Sequence, residues 1–269
     1  MPRRLRSVRI LGQDLRVAVR PGTQPGPPLV LCNGIGASLD LLEPFVAEVP
    51  PDIEVVSFDV PGVGGSAPPR MPYNFALLSV LLGRLLRELE YDTVDVLGIS
   101  WGGGLAQQFA LQNPRRCRRL VLVSTGTGFL MVPAHPRVLV KMVTPRRYRD
   151  PAYAVSIAAT LYGGRLRAEP QLAERLLHEQ LRLGSQCGYA FQLAAGAGWT
   201  SLPFLPMLRQ RTLVLAGDDD PIIPLANARL MNRFIRDSRV HIFDDGHLGL
   251  VTRADELAPI VAEFLREPH

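Results

Sequence analysis

A chain of 269 residues with 47% hydrophobic and 20% charged residues can bury one large core and leaves little scope for extended disorder. Its net charge of +5 is carried almost wholly by arginine, Lys141 being the one lysine, and no nucleic-acid motif accompanies it, which excludes nucleic acid as an expected partner. The four arginines among the first ten residues precede no apolar signal region, and no apolar run nears the ~18 to 20 residues of a membrane-spanning helix, so neither export nor a transmembrane segment is expected.

In chain order, residues 7–11 and 15–20 are extended runs close enough to pair as an antiparallel hairpin. Short runs rich in β-branched residues follow at 28–33, 54–59, 94–99, 119–124, 212–217 and 239–244, each suited to a buried strand. Helix-length segments such as 73–90 and 101–113 lie between most of them, and strand-helix alternation builds a parallel sheet covered on both faces. The expected fold is α/β, with a mostly parallel sheet of about eight strands. Alternation stops after Ser124 and resumes at Thr212, and the stretch between carries helical periodicity, Gly163-Gly164 and many prolines. Residues 129–205 are therefore expected to form a helical cap on a core of 1–128 and 206–269, lying over the crevice at the C-terminal edge of the sheet.

Cys32, Cys117 and Cys187 are odd in number and lack metal-ligand spacing, so buried thiols and no metal site are expected. Arginine clusters at 115–119 and 146–149 read as solvated faces, attraction to an anionic surface being the alternative.

Gly98-Ile99-Ser100-Trp101-Gly102 follows the run 94–99 and opens a helical segment, the context of a nucleophile elbow. A sharp strand-to-helix turn strains the serine backbone, and its neighbours two places either side must lack a Cβ. A serine hydroxyl needs a base to remove its proton. Of five histidines, His247 in Asp244-Asp245-Gly246-His247 follows a strand at the same sheet edge, whereas His135 and His178 fall in the cap, His241 inside a strand and His269 at the terminus. The base in turn needs a carboxylate to hold its tautomer. Asp220 in Gly217-Asp218-Asp219-Asp220-Pro221 precedes a proline at the required edge, with Asp218 and Asp219 capping the turn or meeting solvent, and the order Ser, Asp, His is that of α/β hydrolases. Oxyanion donors are expected at the Trp101 N–H and, from the loop Asn33-Gly34-Ile35-Gly36, the Ile35 N–H.

Asp59-Val60-Pro61-Gly62-Val63-Gly64-Gly65-Ser66 resembles the D-x-x-G-x-G-x-S segment of α/β hydrolases. Taken with Asn33-Gly34-Ile35-Gly36-Ala37, Ser100-Trp101-Gly102-Gly103, Pro145-Arg146-Arg147-Tyr148, Gly198-Trp199-Thr200-Ser201 and the His247 loop, the chain resembles intracellular depolymerases of medium-chain-length polyhydroxyalkanoates over nearly its whole length. Asn33 departs from the His-Gly that many relatives carry there. The resemblance implies a cytoplasmic serine hydrolase acting on a hydrophobic storage polyester, with the granule surface as a partner and a triad of Ser100, Asp220 and His247. No metal or organic cofactor is needed for that chemistry. Phe129, Leu130, Met131, Leu161, Phe191, Leu193 and Trp199 are candidates to hold the polymer side chains or to form cap core. A small-ester carboxylesterase or thioesterase, and a non-catalytic receptor of the same fold, remain as alternatives.

Overall fold

In the computed structural model, which describes residues 3–144, 146, 150–180 and 186–268, the chain opens with the hairpin of β1 (Arg4–Ile10) and β2 (Gln13–Arg20). β1 starts earlier than the sequence pattern indicates because residues 4–7 all face solvent at the sheet edge and show no apolar alternation. Six more strands follow: β3 (Leu29–Cys32), β4 (Val55–Phe58), β5 (Val94–Ile99), β6 (Cys117–Val123), β7 (Arg211–Gly217) and β8 (Ser238–Phe243). They form one eight-stranded sheet in the order β1-β2-β4-β3-β5-β6-β7-β8, antiparallel at β1–β2 and β2–β4 and parallel elsewhere. This is the mostly parallel α/β sheet expected.

Strand side chains alternate between two apolar layers, as a sheet buried on both faces requires. Val30, Val56, Val96, Leu120 and Val214 pack with Leu82 and Leu85 of α2 (Phe75–Glu88) and with Leu105 and Phe109 of α3 (Trp101–Gln112). Leu29, Leu31, Leu97, Val121 and Leu213 face the other way, against Phe45 and Val46 of α1 (Glu43–Glu48) and Leu257, Val261 and Phe264 of a C-terminal helix at Ala254–Arg266. α2 starts where the Asn74 side chain accepts the Leu77 N–H at 2.9 Å, satisfying a donor the helix cannot.

β3 and β5 are neighbours, and the chain winds from β3 towards one edge of the sheet and from β5 towards the other. The crevice outside the carboxyl ends of these two strands is where such a sheet offers a binding site. Between β6 and β7 come α4 (Pro136–Val143), α5 (Pro151–Tyr162), α6 (Gly164–Ala168), α7 (Pro170–Gln180) and α8 (Gln186–Ala197). Pro145, Arg147, Tyr148, Arg149 and His269 lie outside the described residues. Arg146 pairs with Asp150 at 3.0 Å.

Asp59 explains the D-x-x-G-x-G-x-S segment as a folded loop. Its carboxylate accepts the Leu39 and Gly65 N–H groups at 2.6 and 2.8 Å, and its backbone carbonyl accepts the Ser66 hydroxyl at 2.7 Å. Burial pushes this carboxyl above its ordinary range, opposed by those donors and by Arg16.

The first arginine cluster departs from both of its sequence readings. Arg116 donates to the Gly83 carbonyl at 2.8 Å, Arg118 pairs with the buried Asp95, and Arg119 is fully buried with its guanidinium 5.3 Å from the centre of the Phe264 ring. These cations are therefore committed within the protein, with only Arg115 of the four facing solvent freely.

The cysteines depart in one place. Cys32 and Cys117 are buried, and burial pushes the Cys32 thiol up to about 12, but Cys187 on α8 is exposed. A disulfide reagent should therefore titrate one thiol in the native protein and three after denaturation. Three fast thiols in the native state would contradict this packing.

Candidate active site

Ser100 stands at the turn from β5 into α3 with φ of 53° and ψ of −122°, a left-handed conformation costly for a residue with a Cβ. The fold holds it there through hydrogen bonds: the Ser100 N–H donates to the Val123 carbonyl at 2.9 Å, and the Ser100 carbonyl accepts from the Thr125 hydroxyl at 2.7 Å and the Gly103 N–H at 2.9 Å. The glycines at the motif's ends have steric reasons. A Cβ at Gly98 would collide with the Gly102 carbonyl and the Ala106 methyl, and one at Gly102 with the Cys32 and Asn33 carbonyls.

The structure brings the three residues singled out from the motifs into one hydrogen-bonded line. His247 Nε2 lies 3.0 Å from Ser100 Oγ, and His247 Nδ1 lies 2.8 Å from Asp220 Oδ2. With the Nδ1 proton facing the carboxylate, Nε2 is left as the acceptor that a serine hydroxyl requires. The second oxygen of Asp220 accepts the Ile222 and Ile223 N–H groups, both at 2.9 Å, so the carboxylate has one orientation. Asp218 is exposed, and Asp219 binds Arg167 at 2.7 Å and accepts the Gly164 N–H at 2.7 Å, which leaves Asp220 as the member of the acidic triplet beside His247. Of the other histidines, His135 caps α4, accepting the Arg137 N–H at 3.3 Å, and His241 sits within β8.

Ile35 and Trp101 both line the cavity into which Ser100 opens, and among the described residues neither backbone N–H has an acceptor. Trp101 is the first residue of α3, where helix N–H groups lack internal partners. Asn33 shapes the facing loop: its side-chain oxygen accepts the Gly34 N–H at 2.8 Å and its amide donates to the Ser38 carbonyl. A side chain other than histidine thus supports the turn.

The cavity measures about 450 Å³ and is mostly apolar. Phe129, Met131, Leu193 and Trp199 line it, as do Met142, Ile222 and Leu248. Three candidates for the lining do not take part: Leu161 is buried against Val138 and Ile222, Phe191 packs edge-on to Tyr73 with ring centres 6.1 Å apart, and Leu130 is outward and half exposed.

The sequence reading missed how the helices between β6 and β7 grip the site. The Tyr162 carbonyl accepts the His247 N–H at 2.7 Å, and the Tyr162 ring lies nearly parallel to the imidazole, 22° apart in plane. Gly163 follows with φ of 66°, where a Cβ would strike the Asp219 carbonyl. The Gly-Gly pair was a visible signal of a tight turn, whereas nothing in the pattern pointed to Thr125 or Gln192.

Comparison with known proteins agrees with this architecture. The chain is 51% identical to a poly(3-hydroxyalkanoate) depolymerase from Ectopseudomonas oleovorans, across 97% of this chain and 92% of that protein. It is 26% identical to 3-oxoadipate enol-lactonase 2 from Acinetobacter baylyi, across 86% of this chain and 85% of the other. The crystal structure of an enol-lactonase from Burkholderia xenovorans LB400 superposes with a TM-score of 0.83 at 22% identity, covering 97% of this chain and all of that one, a likeness of fold. The sequence pattern of the family described as alpha/beta hydrolase fold matches residues 27–254, and with the sheet order and the strand-turn-helix at Ser100 already in place, the chain belongs to the α/β-hydrolase family.

Proposed function

We propose that this chain hydrolyses the ester bonds of medium-chain-length poly(3-hydroxyalkanoate) by way of an acyl-enzyme on Ser100. The observation that carries the reading is the line from Ser100 through His247 to Asp220 at the wall of a large apolar cavity. The relative at 51% identity, whose name specifies this polyester, supports the choice of substrate. Ser100 Oγ attacks the ester carbonyl carbon while His247 Nε2 takes its proton. The Ile35 and Trp101 N–H groups receive the developing oxyanion, each such donor being worth about 10²- to 10³-fold in rate. The imidazolium then protonates the leaving 3-hydroxyl, and water, activated by the same nitrogen, frees the 3-hydroxy acid. These steps need no metal or organic cofactor.

Residues 129–205 act in this reading as the cap, holding the alkyl side chains against Phe129, Met131, Leu193 and Trp199. Phe129 is 72% exposed although it lines the cavity, and Leu130 and Val132 beside it are also exposed. That apolar rim suits a cytoplasmic polyester granule, which would displace water from it. Among the described residues no helix is long and apolar enough to cross a membrane.

The test is hydrolysis of emulsified medium-chain and short-chain polyhydroxyalkanoates beside p-nitrophenyl esters, in wild type and Ser100→Ala. Release of 3-hydroxy acids from the medium-chain polymer, lost in Ser100→Ala, is the expected result. Turnover of small esters alone would move the function to a carboxylesterase of the same fold.

A further inference from the structure

Gln192 on α8 is 1% exposed, yet it lines the cavity that Ser100 faces. Its Oε1 accepts the Gly36 N–H at 2.8 Å, and its backbone carbonyl accepts the Trp101 Nε1–H at 2.8 Å. The Gly36 bond decides how the amide is turned: an N–H donor must meet oxygen, so Nε2 points the other way. Among the described residues Nε2 has no acceptor. Three other polar side chains of the lining are already engaged. Asn33 bonds Ser38 and Gly34, Thr125 donates to the Ser100 carbonyl, and Trp199 Nε1 donates to Gln108. An amide donor open to an apolar cavity is available to a ligand acceptor, and a bound ligand that lacks one leaves it unpaired and desolvated, at a cost in free energy.

We propose that Gln192 Nε2 donates to a second ester carbonyl of the substrate, one repeat along the acyl chain from the bond being cleaved, and so selects an oligoester over a simple fatty ester. This rests on the ester-hydrolase reading above. The acyl portion stays attached to Ser100 until water releases it, so it is the part that the cavity must hold. In a 3-hydroxyalkanoate chain that portion carries another carbonyl at every repeat, and the rest of it is hydrocarbon. A plain fatty acyl chain brings only methylenes to the same place and leaves the amide unpaired. Sites built around a hydrogen bond discriminate most strongly against an analogue that lacks the group.

The experiment compares kcat/KM for p-nitrophenyl 3-acetoxydecanoate with that for p-nitrophenyl decanoate, in wild type, Gln192→Glu and Gln192→Met. Gln192→Glu keeps an oxygen for the Gly36 N–H and removes the donor, while Gln192→Met removes both at similar volume. The acyloxy-to-plain ratio is expected to fall about tenfold in each variant. Partial loss of folded protein scales both rates together and leaves the ratio unmoved. A wild-type ratio retained in Gln192→Glu overturns the proposal and leaves Gln192 a brace for the Gly36 loop. Absence of wild-type turnover on both esters overturns the ester-hydrolase reading as well, a result distinct from an unchanged ratio.

Discussion

Ser100→Ala is expected to lower kcat on any ester substrate by on the order of 10⁵- to 10⁶-fold, because under the proposed mechanism it deletes the bond-forming oxygen and leaves only binding and oxyanion stabilisation. The fold should tolerate the change. Among the described residues Ser100 Oγ bonds only His247 Nε2, and the backbone contacts to Val123, Thr125 and Gly103 do not involve the side chain. Stability should therefore change by less than about 1.5 kcal/mol, the net worth of one hydrogen bond. A thermal melt beside the kinetic assay separates the two effects. A variant that folds normally and keeps a tenth of wild-type kcat would remove Ser100 from the chemistry.

Asp220→Asn should be nearly as damaging, at about 10⁴-fold in kcat, for a reason visible in the hydrogen bonds. Two backbone donors, from Ile222 and Ile223, converge on Asp220 Oδ1. An asparagine must keep its oxygen there, which turns its NH₂ group towards His247 Nδ1, the atom 2.8 Å from Oδ2 in the native site. That nitrogen must then accept, so the ring proton moves to Nε2 and the imidazole can no longer take the proton of Ser100. KM should change little, since Asp220 does not line the cavity. A loss confined to KM would contradict this assignment of tautomer.

The parts legible in the sequence are those whose signal is local. β5, Ser100 and the start of α3 lie within a dozen residues, where the glycines, the apolar run and the helix report on one turn. The sheet was equally legible, because strands buried on both faces are continuous apolar runs between helices. The sequence singles out Asp220 by its place before Pro221, and in the structure its carboxylate lies beside His247 Nδ1, turned by two backbone donors. What stayed hidden depends on partners distant in sequence. Arg119 looks like surface in a run of arginines, and only its stacking on Phe264 and its bond to the Glu267 carbonyl show that it is interior. Leu130 and Leu161 are similar residues in similar stretches, one outward and one buried, because tertiary packing decides it. Gln192 meets Gly36 across more than 150 positions of chain, beyond any periodicity.

If Ser100 carries the acyl group during turnover, that intermediate can be trapped. Wild-type protein mixed rapidly with excess p-nitrophenyl decanoate and quenched in acid would be digested and its peptides weighed. A decanoyl mass increase is expected on the peptide containing Ser100, formed with a burst of p-nitrophenol and absent in Ser100→Ala. Steady turnover of the ester with the acyl group on another residue, or with no acylated peptide and no burst in a quench fast enough to capture one turnover, would contradict it.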